Sequence, residues 1–137
     1  MNEKRIKFIQ ITDTHLCSSK NGELLGMNTQ ESLNAVLECI ANEEDDFEFF
    51  LCTGDLSQDG SVTSYNRFKT NLNKFCKKQY WLPGNHDNLQ NMKNASINCE
   101  IQSVLKLGNW QIVLLNTQVQ GKVFGQLAEE ELILLEH

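Results

Sequence analysis

The chain has 137 residues, 40% of them hydrophobic and 22% charged, which fits one small soluble domain with its own core. Its net charge of -6, from 12 basic and 18 acidic residues, argues against a nucleic-acid polymer as partner. No stretch approaches the roughly 20 apolar residues of a membrane span, and the start, Met1 to Arg5, leads into an apolar run too short and too polar for a secretory signal.

Five cysteines (Cys17, Cys39, Cys52, Cys76, Cys99) form no CxxC pair, which predicts reduced thiols, a cytoplasmic location and no four-thiolate zinc site. The acidic runs Glu43-Glu44-Asp45-Asp46 and Glu129-Glu130-Glu131 read as solvated helix ends or faces.

In chain order, residues 6–12 form a buried strand rich in β-branched side chains. A loop follows His15, and Asn28 or Thr29 caps a helix with Leu33, Val36, Leu37 and Ile40 along one face. Residues 47–53 are a second strand. Asp59-Gly60-Ser61 then opens a helix that turns Val62, Tyr65, Phe68, Leu72 and Phe75 inward and ends in lysines 69, 74, 77 and 78. Asp59 is its expected cap. Tyr80-Trp81-Leu82 is a third strand, and an Asn-rich stretch after it has room for a short helix. Residues 101–107 and 110–115 read as a hairpin around Gly108-Asn109, and a last helix starts near Leu127. This order of elements predicts a layered α/β domain without an internal repeat or linker.

Each of the first three strands runs into a polar cluster: Asp13-Thr14-His15, Gly54-Asp55 and Gly84-Asn85-His86-Asp87. In an open α/β sheet such clusters gather at the carboxyl edge of parallel strands, where ligands bind. Carboxylates, imidazoles and an amide converging there are a hard-to-borderline donor set for a metal ion. An extended D-x-H step puts Asp13 and His15 on one face, and Gly54 and Gly84 clear space beside the metal. Asp55 has two oxygens with which to bridge cations, and Asn85 offers a carbonyl oxygen. His86 can ligate or donate a proton, and Asp87 is placed to orient it by hydrogen bonding. Any one motif is weak alone; three in this order, each after a strand, are not.

These residues resemble the signature of the calcineurin-like metallophosphoesterases. Ile11 to Leu16, Leu24 to Thr29, Thr53 to Asp59 and Trp81 to Asp87 are similar to the class III cyclic AMP phosphodiesterases of bacteria, and the similarity runs through essentially the whole chain. The resemblance implies an αββα sandwich with a mixed sheet and flanking helices, and a centre of two divalent cations, iron or manganese. It implies that Asp13 and His15 bind the first cation, Asp55 bridges, and Asn85 binds the second. His15, Asp55, Asn85 and His86 would surround the substrate, with His86 and Asp87 as the catalytic pair and His86 the acid for the leaving 3′ oxygen. Cyclic AMP would be cleaved to 5′-AMP by in-line attack of water acidified by the cations. Another phosphodiester or a phosphomonoester is the alternative substrate.

The family pattern continues with a lone histidine and a G-H-x-H motif, and neither occurs among the three histidines present. Residues 1–137 therefore read as the N-terminal part of one metallophosphoesterase domain. The first cation would keep three protein ligands and the second only Asp55 and Asn85. Apolar surface should be left exposed, and cyclic AMP hydrolysis by this chain alone should be impaired or lost. A non-catalytic fragment, or a binding module that pairs with a complementing C-terminal segment, is the remaining reading.

Overall fold

The computed structural model describes residues 5–43, 46–76, 78–96 and 101–137. Residues 1–4, Glu44 and Asp45 of the first acidic run, Lys77, and residues 97–100 with Cys99 lie outside the described residues.

Three parallel strands form the centre, β1 (Phe8–Ile11), β4 (Phe49–Thr53) and β5 (Gln79–Leu82), in the order β1-β4-β5. Ile11 lies opposite Cys52, and Cys52 opposite Trp81, so the three strands end level and release their loops at one edge. The central strand is buried on both faces, as its continuous apolar sequence requires. Phe50 and Cys52 face a helical layer together with Ile11 and Trp81. That layer consists of α1 (Thr29–Glu43), α2 (Val62–Asn73) and α3 (Leu89–Ala95), which contribute Leu33, Leu37, Tyr65, Phe68, Leu72, Met92 and Ala95 to the same core. Each Leu, Phe or Met side chain among them, fully buried, stabilises the fold by about 1.5–3 kcal/mol.

On the opposite face Phe49 and Leu51 pack with Leu105 and Leu114. Leu105 belongs to an antiparallel hairpin, β6 (Val104–Leu107) and β7 (Trp110–Val113), whose two-residue turn is Gly108-Asn109. The layers are thus helices, parallel sheet and hairpin: the α/β arrangement expected for the N-terminal half of a metallophosphoesterase.

Several local expectations need correction. The loop after His15 contains a hairpin, β2 (Glu23–Leu24) and β3 (Met27–Asn28). Its turn, Leu25-Gly26, has positive φ at both residues (50° and 81°). Gly26 favours that geometry, but Leu25 gave no sequence signal for it. Asn28 caps α1 by accepting the Glu31 amide at 3.0 Å. Val36 faces outward, because the buried stripe of α1 is the narrower Leu33 and Leu37.

Ser61, not Asp59, caps α2, accepting the Ser64 amide. That helix ends at Asn73, so Lys74 and Lys78 lie past it and its last turn carries no basic residue. Phe75, also past the end, is partly exposed. The final helix, α4 (Glu129–Glu136), buries none of its residues.

No helix among the described residues is long and apolar enough to cross a membrane. Cys17, Cys52 and Cys76 form no disulfide, and burial pushes the Cys52 thiol up.

Candidate metal centre

The loop that follows β1 lies alongside the loop that follows β4. The Asp13, His15 and Leu16 amides donate to the Gly54, Asp55 and Leu56 carbonyls at 3.0, 2.9 and 3.0 Å. The Thr14 hydroxyl adds a bond to the Leu56 carbonyl, and the Gln58 amide returns one to Leu16. Within this ladder Asp13, His15 and Asp55 all have left-handed backbones, with φ of 56°, 46° and 48°. Asp13 and His15 do meet, but not through the extended D-x-H step expected from the sequence. Left-handed non-glycine residues cost on the order of 1–3 kcal/mol each and persist where the surroundings enforce them. Here the backbone ladder enforces them.

The donor atoms converge as a result. His15 Nε2 lies 3.7 Å from Asp13 Oδ1 and 3.8 Å from Asp55 Oδ2. Metal–ligand bonds of about 2.0–2.2 Å allow two ligand atoms on one cation to be at most about 4.4 Å apart, so both pairs fit a shared ion. A ring nitrogen of His86 joins His15 and Asp55 in a group whose ligand atoms all lie within 4.8 Å of one another. The His15 and His86 rings stand edge to face, 5.1 Å between centroids. His15 paired with Asp13 and with Asp55 therefore fits a divalent cation by donor type and by spacing.

Supporting contacts set each donor. His15 Nδ1 is 2.8 Å from Gln58 Oε1, which can only accept. In the tautomer whose Nδ1–H donates to that oxygen, Nε2 presents its lone pair to the carboxylates, the orientation that a metal-binding histidine needs. The Thr12 hydroxyl holds Asp13 Oδ2 at 2.5 Å, leaving Oδ1 toward His15. The His86 amide donates to Asp55 Oδ1 at 2.9 Å, so the two oxygens of Asp55 look in different directions.

Beyond His15, Asp59 accepts the Ser18 amide, and the Arg67 guanidinium donates to the Cys17 and Ser18 carbonyls and to Gln30. Burial raises the Asp59 carboxyl, but donors from Ser18 and Ser61 outweigh it and hold the group well below the usual carboxylate range.

The loop after β5 packs against the loop after β4 with almost no clearance. A Cβ on Gly84 would lie 2.2 Å from Asp55 Oδ1 and 2.4 Å from Asp55 N, and one on Gly54 would lie 3.0 Å from Gly84 N. The two glycines clear space, as expected, and what they make room for is each other's loop. The Asp87 amide donates to the Gly84 carbonyl at 3.2 Å, closing a turn with Asn85 and His86 at its exposed tip.

Asp87 itself is buried and does not orient the His86 ring. Its carboxylate accepts from the Leu56, Ser57 and Gly84 amides and from the Tyr65 hydroxyl, between 2.8 and 3.2 Å. Burial pushes this carboxyl up, and the four donors oppose the rise. Tyr65 is driven far up by its own burial and by the charge of Asp87, which keeps its proton in that bond. Asp87 thus joins the loop bearing Asp55 to the turn bearing His86.

Gln58, Thr12, Tyr65 and Arg67 are contributors that the sequence did not single out as site residues. All act across 22–50 residues of separation or through a neighbour's side chain, and no spacing rule marks such contacts.

Known proteins are similar to this chain in sequence. The profile of the calcineurin-like phosphoesterase family matches residues 6–134. The chain is 41% identical to a 3′,5′-cyclic adenosine monophosphate phosphodiesterase CpdA of Vibrio vulnificus, an alignment covering 100% of this chain and 51% of that protein. It is 42% identical to CpdA of Escherichia coli strain K12, over 98% of this chain and 50% of the relative. A 3′,5′-cyclic-nucleotide phosphodiesterase of Nostoc is 39% identical over 93% and 49% of the two chains. The chain spans about half the length of these curated relatives. Three loops with converging N and O donors, and a family profile covering nearly every residue, lead to one assignment: the chain belongs to the calcineurin-like phosphoesterases.

Proposed function

We propose that this polypeptide supplies the N-terminal ligands and the proton donor of a binuclear 3′,5′-cyclic AMP phosphodiesterase. The observation that carries the reading is the convergence of His15, Asp55 and His86, with Asp13 at the His15 edge, at the carboxyl end of the parallel strands. The CpdA relatives supply the substrate class.

Asp13 Oδ1, His15 Nε2 and Asp55 Oδ2 would hold one divalent cation, iron or manganese. Asp55 would also serve a second cation, with Asn85, at the exposed tip of its turn, as the other ligand. Bound cations there supply neutralisation of the phosphate charge and acidification of water. Asn85 and His86 face the phosphate side by side, and His86 hands a proton to the departing 3′ oxygen. Asp87 acts on this chemistry only by fixing the loops. Residues 1–137 form the N-terminal part of a single domain and work in the cytoplasm, in keeping with the reduced thiols.

With only Asp55 and Asn85 assigned to the second cation in this reading, the 137-residue polypeptide alone should hold one cation firmly and turn over cyclic AMP poorly. The apolar side chains exposed at Trp110, Phe124, Ile133 and Leu135 are the surface that a complementing C-terminal segment would cover.

The test is metal content and hydrolysis of cyclic AMP against bis(p-nitrophenyl) phosphate, for the chain alone and with the C-terminal half of the Escherichia coli relative added in trans. The expected result is one manganese per chain, lost in Asp55→Ala, with cyclic AMP turnover gained on complementation. Metal retained by Asp55→Ala would remove the proposed centre, and preference for the synthetic diester after complementation would remove the cyclic nucleotide.

A further inference from the structure

The turn from Gly84 to Asp87 is gripped from a distant part of the chain. Gln118 Nε2 lies 2.7 Å from the Gly84 carbonyl oxygen and 2.6 Å from that of Asp87, the residues at the two ends of the turn. A primary amide has two hydrogens, one for each carbonyl. The Gly84 carbonyl also accepts the Asp87 amide, so Gln118 completes the hydrogen bonding at the base of the turn.

Gln118 is itself held. Its backbone amide donates to Asn116 Oδ1 at 2.9 Å, the Asn116 amide donates to Glu131 Oε2, and the segment folds back through a Gln118–Gly125 bridge. Asp87 fixes the same turn from below through acceptor oxygens, whereas Gln118 fixes it from the side through donors. Neither makes these hydrogen bonds to the Asn85 or His86 side chain.

We propose that Gln118 is a positioning residue: by clamping both ends of the Gly84–Asp87 turn, it sets where Asn85 and His86 stand relative to Asp55. The His86 amide bonds to Asp55 Oδ1, so a shift of the turn shifts the imidazole and that carboxylate together. The inference rests on the proposed metal centre only for its binding consequence; the geometric part stands without a metal.

The test compares the 137-residue chain with Gln118→Met, which keeps the length and loses both donors, and Gln118→Asn, which keeps the donors on a shorter arm. In the metal-free protein, ¹⁵N and ¹H resonances of the His86 ring and the exchange rate of the Asp87 amide are read first. Both variants should shift His86 while leaving His15 in place, and Asp87 exchange should quicken in Gln118→Met. Titration with Mn²⁺ is read second, and affinity should fall about ten-fold in Gln118→Met, the size of effect seen when supports of metal ligands are removed.

Unchanged His86 resonances in both variants, or equal shifts at His15 and His86, would overturn the proposal, the latter because it marks general loosening. A wild-type chain that fails to bind Mn²⁺ would count against the metal centre and leave the clamp to be judged by the resonances alone. Gln118→Asn serves as the deciding variant should Gln118→Met not fold.

Discussion

The two ends of this chain are built to different standards of closure. From β1 to α3, helices and parallel sheet enclose one core in which Phe50, Phe68, Trp81 and Met92 are essentially inaccessible. From β7 onward, Trp110 is 74% exposed, Val123 84%, and α4 presents Leu132, Ile133 and Leu135 to solvent. The donors of the proposed site belong to the enclosed region. The open region reaches that site through Gln118, yet it carries most of the exposed apolar surface. The contrast teaches that candidate metal donors can converge on a closed core while the layer beyond them stays open.

The comparison breaks most readily in the core. Trp81→Ala should cost about 3–5 kcal/mol, whereas Leu135→Ser should stay within about 0.5 kcal/mol; thermal or urea unfolding of both variants measures the difference. Equal losses would mean that the last helix is packed as firmly as the sheet.

Gly84→Ala comes next. Its Cβ cannot coexist with the Asp55 carboxylate, so overpacking should remove about 1–3 kcal/mol and abolish manganese binding, read by melting and by titration. A stable, metal-binding Gly84→Ala protein would show that the two loops are free to separate.

Gln58→Leu separates chemistry from folding. It removes the acceptor for His15 Nδ1–H and should lower Mn²⁺ affinity about 10–100-fold while the melting temperature barely moves.

The smallest effect is on acid stability. The Asp59 carboxyl is depressed in the folded chain, so its stabilisation is present above the ordinary carboxylate pKa of about 3.9 and is lost as pH falls below it. Asp59→Asn should flatten the stability profile below about pH 4, and pH-dependent melting checks this.

Much of the enclosed region was legible because its signals are local. Residues 6–12 and 47–53 contain β1 and β4, Tyr80-Trp81-Leu82 covers all of β5 but Gln79, and each run ends at a polar cluster that the structure brings to the expected edge. Tyr65, Phe68 and Leu72 point inward as their spacing predicts.

What escaped was set by partners far along the chain. Left-handed backbones at Asp13, His15 and Asp55 come from hydrogen bonds across about 40 residues, so the reason given for the meeting of Asp13 and His15 was wrong although the meeting itself occurs. Asp87 next to His86 suggested a local pair, yet its carboxylate is taken by amides of another loop and by Tyr65. Gln118, 31 residues from Asp87, carried no signal, because a glutamine in a polar loop looks like any other.

The left-handed backbones at three of the donor positions also limit which metals this scaffold could be rebuilt to hold. Aspartate, asparagine and histidine are the ligating residues that enter that conformation most readily, through short polar side chains. Glutamate and cysteine also ligate metals but lack that tolerance. In the proposed centre, positions 13, 15 and 55 are therefore filtered twice, first by backbone shape and then by coordination. Thiolate substitution toward a softer metal would have to overcome the backbone before any question of affinity arose.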